Sequence, residues 1–294
     1  SGTSFAAPHV SGAAALMMQY RDQRVLAGDW DVRSDDSRVV KAIMMNTARR
    51  DGIGGWSQDV TNFGAQSGVV VNESLDRRLG SGMLNTLGAM NNYAAGEVRL
   101  ADNNAQQHVN ISVPAAPGGG RRAEMWDLER VAGAQAGPPS GTSLDGTVNY
   151  ILGADRRIFT SIENGQHTGV LGTGFDFLRA ALTWHRTVTA GVYDALPQLE
   201  MRLYMDNIST SNQRGFDPAH PDADMLIAKT QGAGENVKIF DLTNLGGISQ
   251  SINFGTEIPL IWEPTVYLQV INISGGGFVD FGISITIPTP GALT

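Results

Sequence analysis

The sequence contains no cysteine. That excludes a disulfide framework and any thiolate metal site. Charge is scarce, at 17% of residues, and tilted to one sign: 29 acidic against 21 basic side chains, a formal net charge of −8. An excess of this sign argues against nucleic acid or an anionic membrane surface as a partner. No apolar run approaches the roughly 18 residues that a membrane-spanning helix needs, so no span is expected in this chain. The spacing of an EF-hand calcium loop is also missing. What remains is 294 residues, long enough for two domains, with 41% hydrophobic residues and 36 glycines. That balance suits a protein rich in loops and strands.

The hydrophobic period changes along the chain. The first third reads as helices. "SFAAPHVSGAAALMMQYRDQ" is apolar nearly all round until Tyr20, which predicts a buried helix. "DDSRVVKAIMMNTARR" offers Asp35, Asp36 or Ser37 as a cap before a stripe of Val39, Val40, Ile43, Met44 and Thr47. "NTLGAMNNYAAG" is a third helix, stopped by Gly96. The methionine pairs Met17–Met18 and Met44–Met45 read as core filler.

From about Val98 the period becomes two. Val279, Phe281, Ile283, Ile285 and Ile287 share one face of the last run, with Asp280, Ser284 and Thr286 opposite. Leu199, Met201, Leu203 and Met205 alternate with polar residues, and Leu178, Ala180, Leu182 and Trp184 point inward with Thr183 and His185 outside. "RRAEMWDLERV" leaves helix and strand open. About eight short strands without intervening helices imply an all-β sandwich.

The opening "GTSFAAPHV" carries the chemistry. Ser4 lies where a helix begins, beside backbone N–H groups that lack helical partners and at the positive end of the helix dipole. Both favour negative charge developing near its hydroxyl, as at a nucleophile whose own N–H serves an oxyanion hole. A serine that merely caps a helix would look the same locally. "SGTS" recurs at Ser140–Ser143 inside a Gly/Pro-rich turn, so the tetrapeptide alone is uninformative.

The longer string is specific. Gly2, Thr3, Ser4, Ala6, Pro8, His9, Val10 and Gly12 occupy every fixed position of G-T-S-x-A-x-P-H-V-x-G, and the region resembles the nucleophile segment of the subtilisin-like serine proteases. "RVVKAIMMNTA" resembles that family's next helix. "LGSGMLNTLGAM" resembles its closing G-x-G-x-x-N-x-x-x-A segment, with Gly80, Gly82, Asn85 and Ala89 in register. The resemblance covers about residues 1–95. It implies the C-terminal part of a subtilisin-like α/β catalytic domain, mostly helices, with Ser4 as nucleophile. The family's order, Asp then His then Ser, puts the triad Asp, the triad His and the oxyanion Asn upstream of this chain. The chain by itself is then expected to be inactive, with the upstream part of the same protease as its partner and proteins or peptides as substrate. His9 becomes the motif's structural histidine. Nothing places His108, His167, His185 or His220 near Ser4.

Residues 96–290 resemble the jelly-roll domain attached to many such proteases, although a fibronectin-like sandwich fits the same alternation. Residues 291–294 form a tail. The resemblance also implies a secreted, extracellular or cell-surface protein of bacterial type, in which calcium often replaces disulfides. "GFDPAHPDADM" offers Asp217, Asp222 and Asp224 as calcium ligands, and a solvated loop is the alternative. A different class of function also fits the chain: a non-catalytic extracellular β-sandwich, a binding or structural module carrying a protease remnant.

Overall fold

The computed structural model describes residues 2–30, 32–56, 60–62, 70–73, 75–76, 78–98, 108–110, 124–133, 147–154, 161–163, 166–171, 178–205, 225–231, 234–241, 250–253, 265–274 and 277–286. The helices are α1 (Thr3–Leu26), α2 (Ser37–Asn46) and α3 (Thr86–Ala95), with a 3-10 turn at Val32–Asp35. Asp36 is the cap of α2 and accepts a hydrogen bond from the Arg38 N–H at 2.8 Å. Asn85 caps α3 by accepting from the Gly88 N–H, and Gly96 ends it at φ 89°.

The strands, in chain order, begin with β1 (Val60–Asn62), β2 (Val70–Glu73), β3 (His108–Asn110), β4 (Glu124–Ala132) and β5 (Thr147–Ala154). Then come β6 (Ser161–Glu163), β7 (Gln166–Leu171), β8 (Arg179–Trp184), β9 (Val188–Thr189), β10 (Val192–Tyr193) and β11 (Leu199–Met205). The last are β12 (Met225–Gln231), β13 (Val237–Asp241), β14 (Gln250–Asn253), β15 (Thr265–Asn272) and β16 (Phe278–Thr286).

Two sheets face each other, one in the order β1-β2-β12-β11-β15-β5-β3 and the other β13-β8-β16-β4. All neighbours in them are antiparallel except the parallel pairs β2–β12 and β3–β5. Leu182, Trp184, Phe281, Ile283 and Ile285 of the smaller sheet close on Tyr150, Met201, Leu203, Leu268 and Val270 of the larger. Leu182, Trp184, Phe281, Ile283, Ile285, Met201 and Leu203 among them are inward positions that alternation predicts, and the result is an open antiparallel sandwich.

Three expectations need correction. The first third is not only helical: β1 and β2 form a hairpin, and β2 joins the large sheet through Val70↔Ala228 and Val71↔Lys229. Strands of three and four residues are too short to show a period. Next, α1 is not buried through its length. Residues 2–12 are all exposed, Phe5 at 73%, and only Ala13 and Met17 are buried. Lastly, Thr183 and Ser284 do not face solvent. Both are fully buried, because α2 and α3 lie across the outer face of the small sheet. The segment left open, "RRAEMWDLERV", contains β4. Met125 and Asp127 face the sandwich interior while Trp126 faces the helices, so three successive buried residues hide the alternation.

The helices reach the sheet through a second core of Met17, Val39, Ile43, Ala89, Tyr93 and Trp126. Trp126 stacks on Tyr93 with ring centroids 5.7 Å apart and donates its indole N–H to the Tyr93 carbonyl at 2.9 Å. Beyond α3 the chain runs along β4, where Val98 N–H donates to Trp126 O at 2.8 Å. Gly282 lets α2 approach: a Cβ there would lie 2.6 Å from the Arg38 carbonyl carbon and the Val39 nitrogen.

Candidate active site

Ser4 sits in the first turn of α1, one residue inside the start of the helix. Gly2 is extended (φ 174°, ψ 168°), and its carbonyl accepts from Phe5 N–H at 3.0 Å and Ala6 N–H at 3.4 Å. The Thr3 and Ser4 N–H groups precede any possible helical acceptor, so helix geometry leaves them pointing out of the end. They carry the positive pole of the helix beside the Ser4 hydroxyl. Pro8 falls in the second turn, where the lack of an N–H deprives the Ser4 carbonyl of its helical donor. The whole turn is exposed, and among the described residues no side chain bonds to the Ser4 hydroxyl. Met17, where α1 enters the core, is about 20 Å along the axis from Ser4.

No described histidine is positioned as a base. His9 lies five residues on, about 140° around the helix from Ser4. His185 follows β8 and is exposed, and its Nε2 is 2.8 Å from Ser37 Oγ at the first turn of α2. Partial burial lowers the pKa of this imidazole, Arg38 and Lys41 lower it further, and Asp36 opposes them. The sequence did not reveal this pair, since Ser37 and His185 are far apart in the chain and neither belongs to a motif. His108 and His167 lie on β3 and β7, whose side chains are not described, and His220 lies outside the described residues.

The closing G-x-G-x-x-N segment has clear physical work. Gly82 has φ 115°, and a Cβ would fall 2.5 Å from the Arg49 carbonyl oxygen. That close approach lets Arg49 and Met83 exchange backbone hydrogen bonds of 2.8 and 2.9 Å. Beside it, Arg50 is held by an array no motif predicts. Its guanidinium pairs with Asp241 of β13, donates to Ser81 O at 3.0 Å and Met45 O at 2.9 Å, and lies 4.9 Å over the Trp56 ring. Both partners of the ion pair are buried, at 1% and 0% side-chain exposure, and Arg179 reaches Asp241 from the other side at 3.3 Å.

The candidate calcium ligands Asp217, Asp222 and Asp224 lie outside the described residues, as does the second "SGTS" at Ser140–Ser143. Among the described residues no three acidic or histidine side chains gather as a metal site. Nor is any described helix long and apolar enough to cross a membrane.

Residues 1–82 match the family model of the Subtilase family, a family of serine proteases. The match includes the Ser4 string, α2 and the glycine pair at Gly80 and Gly82, and stops short of Asn85 and Ala89. No curated protein matches the chain.

Proposed function

We propose that this chain is the C-terminal portion of a secreted subtilisin-like serine endopeptidase in which Ser4 is the nucleophile. The observation that carries the reading is the Ser4 turn itself: a hydroxyl at an open helix end, beside free backbone donors, inside the region that matches the family. In the reaction Ser4 Oγ attacks the peptide carbonyl carbon and its proton passes to the triad His. The oxyanion is met by the Ser4 N–H, the amine leaves with the proton, and water then hydrolyses the acyl-enzyme. The triad Asp and His and the oxyanion Asn belong upstream, because the family's chain order is Asp, His, Ser and no described histidine touches Ser4. The exposed apolar residues of α1, Phe5 and Leu16 on one side and Val10 on another, support the same assignment, since an upstream catalytic domain would cover them.

The β-region, residues 96–290, then stabilises the catalytic part or presents substrate as a jelly-roll-type domain. Extracellular or cell-surface location and a calcium site at Asp217, Asp222 and Asp224 belong to the same proposal. A second reading, a binding or structural sandwich carrying a protease remnant, rests on the β-region, whose two sheets bury a core of their own.

Fluorophosphonate labelling separates the two. The expected result is that the 294-residue chain labels no faster than free serine, while a polypeptide extended upstream through the triad labels quickly at Ser4. Ser4→Ala should abolish that labelling. An extended polypeptide that stays unlabelled supports the remnant instead.

A further inference from the structure

Among the described residues, one acidic side chain stands between the two sheets of the sandwich. Asp127 of β4 is 2% exposed and lies among the inward residues Met125 and Val131. Across the interior, Tyr150 of β5 is fully buried and donates its hydroxyl to Asp127 Oδ2 at 2.8 Å. The two strands belong to different sheets, so this hydrogen bond crosses the gap between them.

The charged surroundings of Asp127 are acidic. Glu129 follows on the same strand, and Glu97 comes from the segment that runs beside β4 after α3. Across the gap, among the described residues, Tyr150 is the titratable group in hydrogen-bond contact with it. Burial pushes the Asp127 carboxyl well up and Glu129 and Glu97 push it further, while Tyr150 and the Leu128 N–H pull the other way. A buried carboxylate facing two further carboxylates is a high-energy species, whereas the neutral acid fits this place.

We infer that Asp127 and Tyr150 form a proton-dependent latch between the two sheets, with the sandwich most stable when Asp127 carries its proton. Losing the proton strengthens the Tyr150 hydrogen bond itself, but it leaves a negative charge buried between the sheets beside Glu129 and Glu97, and that larger cost weakens the sandwich. The inference is independent of the protease assignment, because it rests on the β-sandwich alone.

The sign follows from linkage. The folded form binds the Asp127 proton more tightly than the unfolded chain does. Stability from this group is therefore complete below about pH 4, where a free aspartate titrates, and is lost as pH rises through the folded value. Urea unfolding of the full chain across pH is the test. The unfolding constant of the wild type should rise with pH relative to that of Asp127→Asn, by close to tenfold per pH unit inside that window. Parallel pH profiles for the two proteins would overturn the latch. Carbon-13 NMR of the aspartate carboxyl carbons serves if the variant does not fold. One aspartate should titrate above the ordinary carboxylate range, and Tyr150→Phe should move its midpoint higher still. If every aspartate titrates in the ordinary range, the inference fails.

Discussion

The two faces of the β13-β8-β16-β4 sheet are both buried, but by different chemistry. The inner face is a packed apolar layer, with Leu182, Trp184, Phe281, Ile283 and Ile285 against the opposite sheet. The outer face lies under the helices and mixes ring stacking with polar contacts. Asn46 donates to Ser284 Oγ at 2.9 Å and Thr286 Oγ1 at 3.0 Å, and Ser284 donates in turn to Asn92 at 2.9 Å. Thr183 donates to Arg38 O at 2.7 Å. Apolar packing tolerates sliding and repacking, whereas a hydrogen-bonded seam fixes register. The inner face holds the sandwich together, and the outer face fixes where the helices sit on it.

If the outer seam positions the helices, its disruption should cost as much as damage to a core. The largest effect is expected at Arg50, where the buried pair with Asp241 ties the segment after α2 to β13. Arg50→Met removes the guanidinium from Trp56 and from Asp241, which stays paired with Arg179. A loss of about 3–5 kcal/mol in urea unfolding is expected, and a loss below about 1 kcal/mol would make the outer face mere cover. Gly282→Ala should come next, at about 1–3 kcal/mol, because the new methyl group forces α2 away from β16. Unchanged stability there would mean that α2 rides loosely on the sheet.

How much of this was legible follows the same division. Alternation in β16, β8 and β11 marked the inward residues, the run Asp35, Asp36 and Ser37 marked the start of α2 and Gly96 marked the end of α3, because caps and period are local. The outer face was misread: Ser284 and Thr183 are polar, and polar residues opposite an apolar row look solvated. Only the arrival of Asn46, Asn92 and Arg38, some 145–240 positions away in sequence, makes them interior. The Ser4 turn was legible because a long fixed string specifies it. Arg50, Asp127 and the Ser37–His185 pair were not, since each acquires its role through a partner that no local pattern names.

Two smaller effects refine the contrast. Ser284→Ala removes the acceptor for Asn46 and the donor for Asn92, and should cost about 1–3 kcal/mol, more than an Ile283→Val trim on the inner face at about 0.5–1.5 kcal/mol. The reverse order would put the inner face in charge of both. The smallest change is expected from acid. Asp280 is held below its ordinary value by the Arg130 hydrogen bond, and Asp36 is held below it by Arg38 despite partial burial. Stability from both is present above about pH 4 and fades as pH falls through their lowered values. Solvent screening limits the effect to a fraction of a kcal/mol each. Melting Asp280→Asn between pH 2 and 5 should show a slightly flatter acid limb than wild type, and identical limbs would assign Asp280 no share.

The parallel pairing of β2 with β12 sets a clock on biosynthesis. Val70 meets Ala228, about 160 residues later in the chain. At a synthesis rate of roughly 5–20 residues per second, β2 waits about 10–30 s for its partner to emerge. Through that interval the β1–β2 hairpin offers an unpaired edge to any passing strand, and α2 has no β8 or β16 on which to settle. The helices and the β1–β2 pair are therefore made before the strands that complete them, and until β12, β8 and β16 arrive they depend on shielding from neighbouring chains.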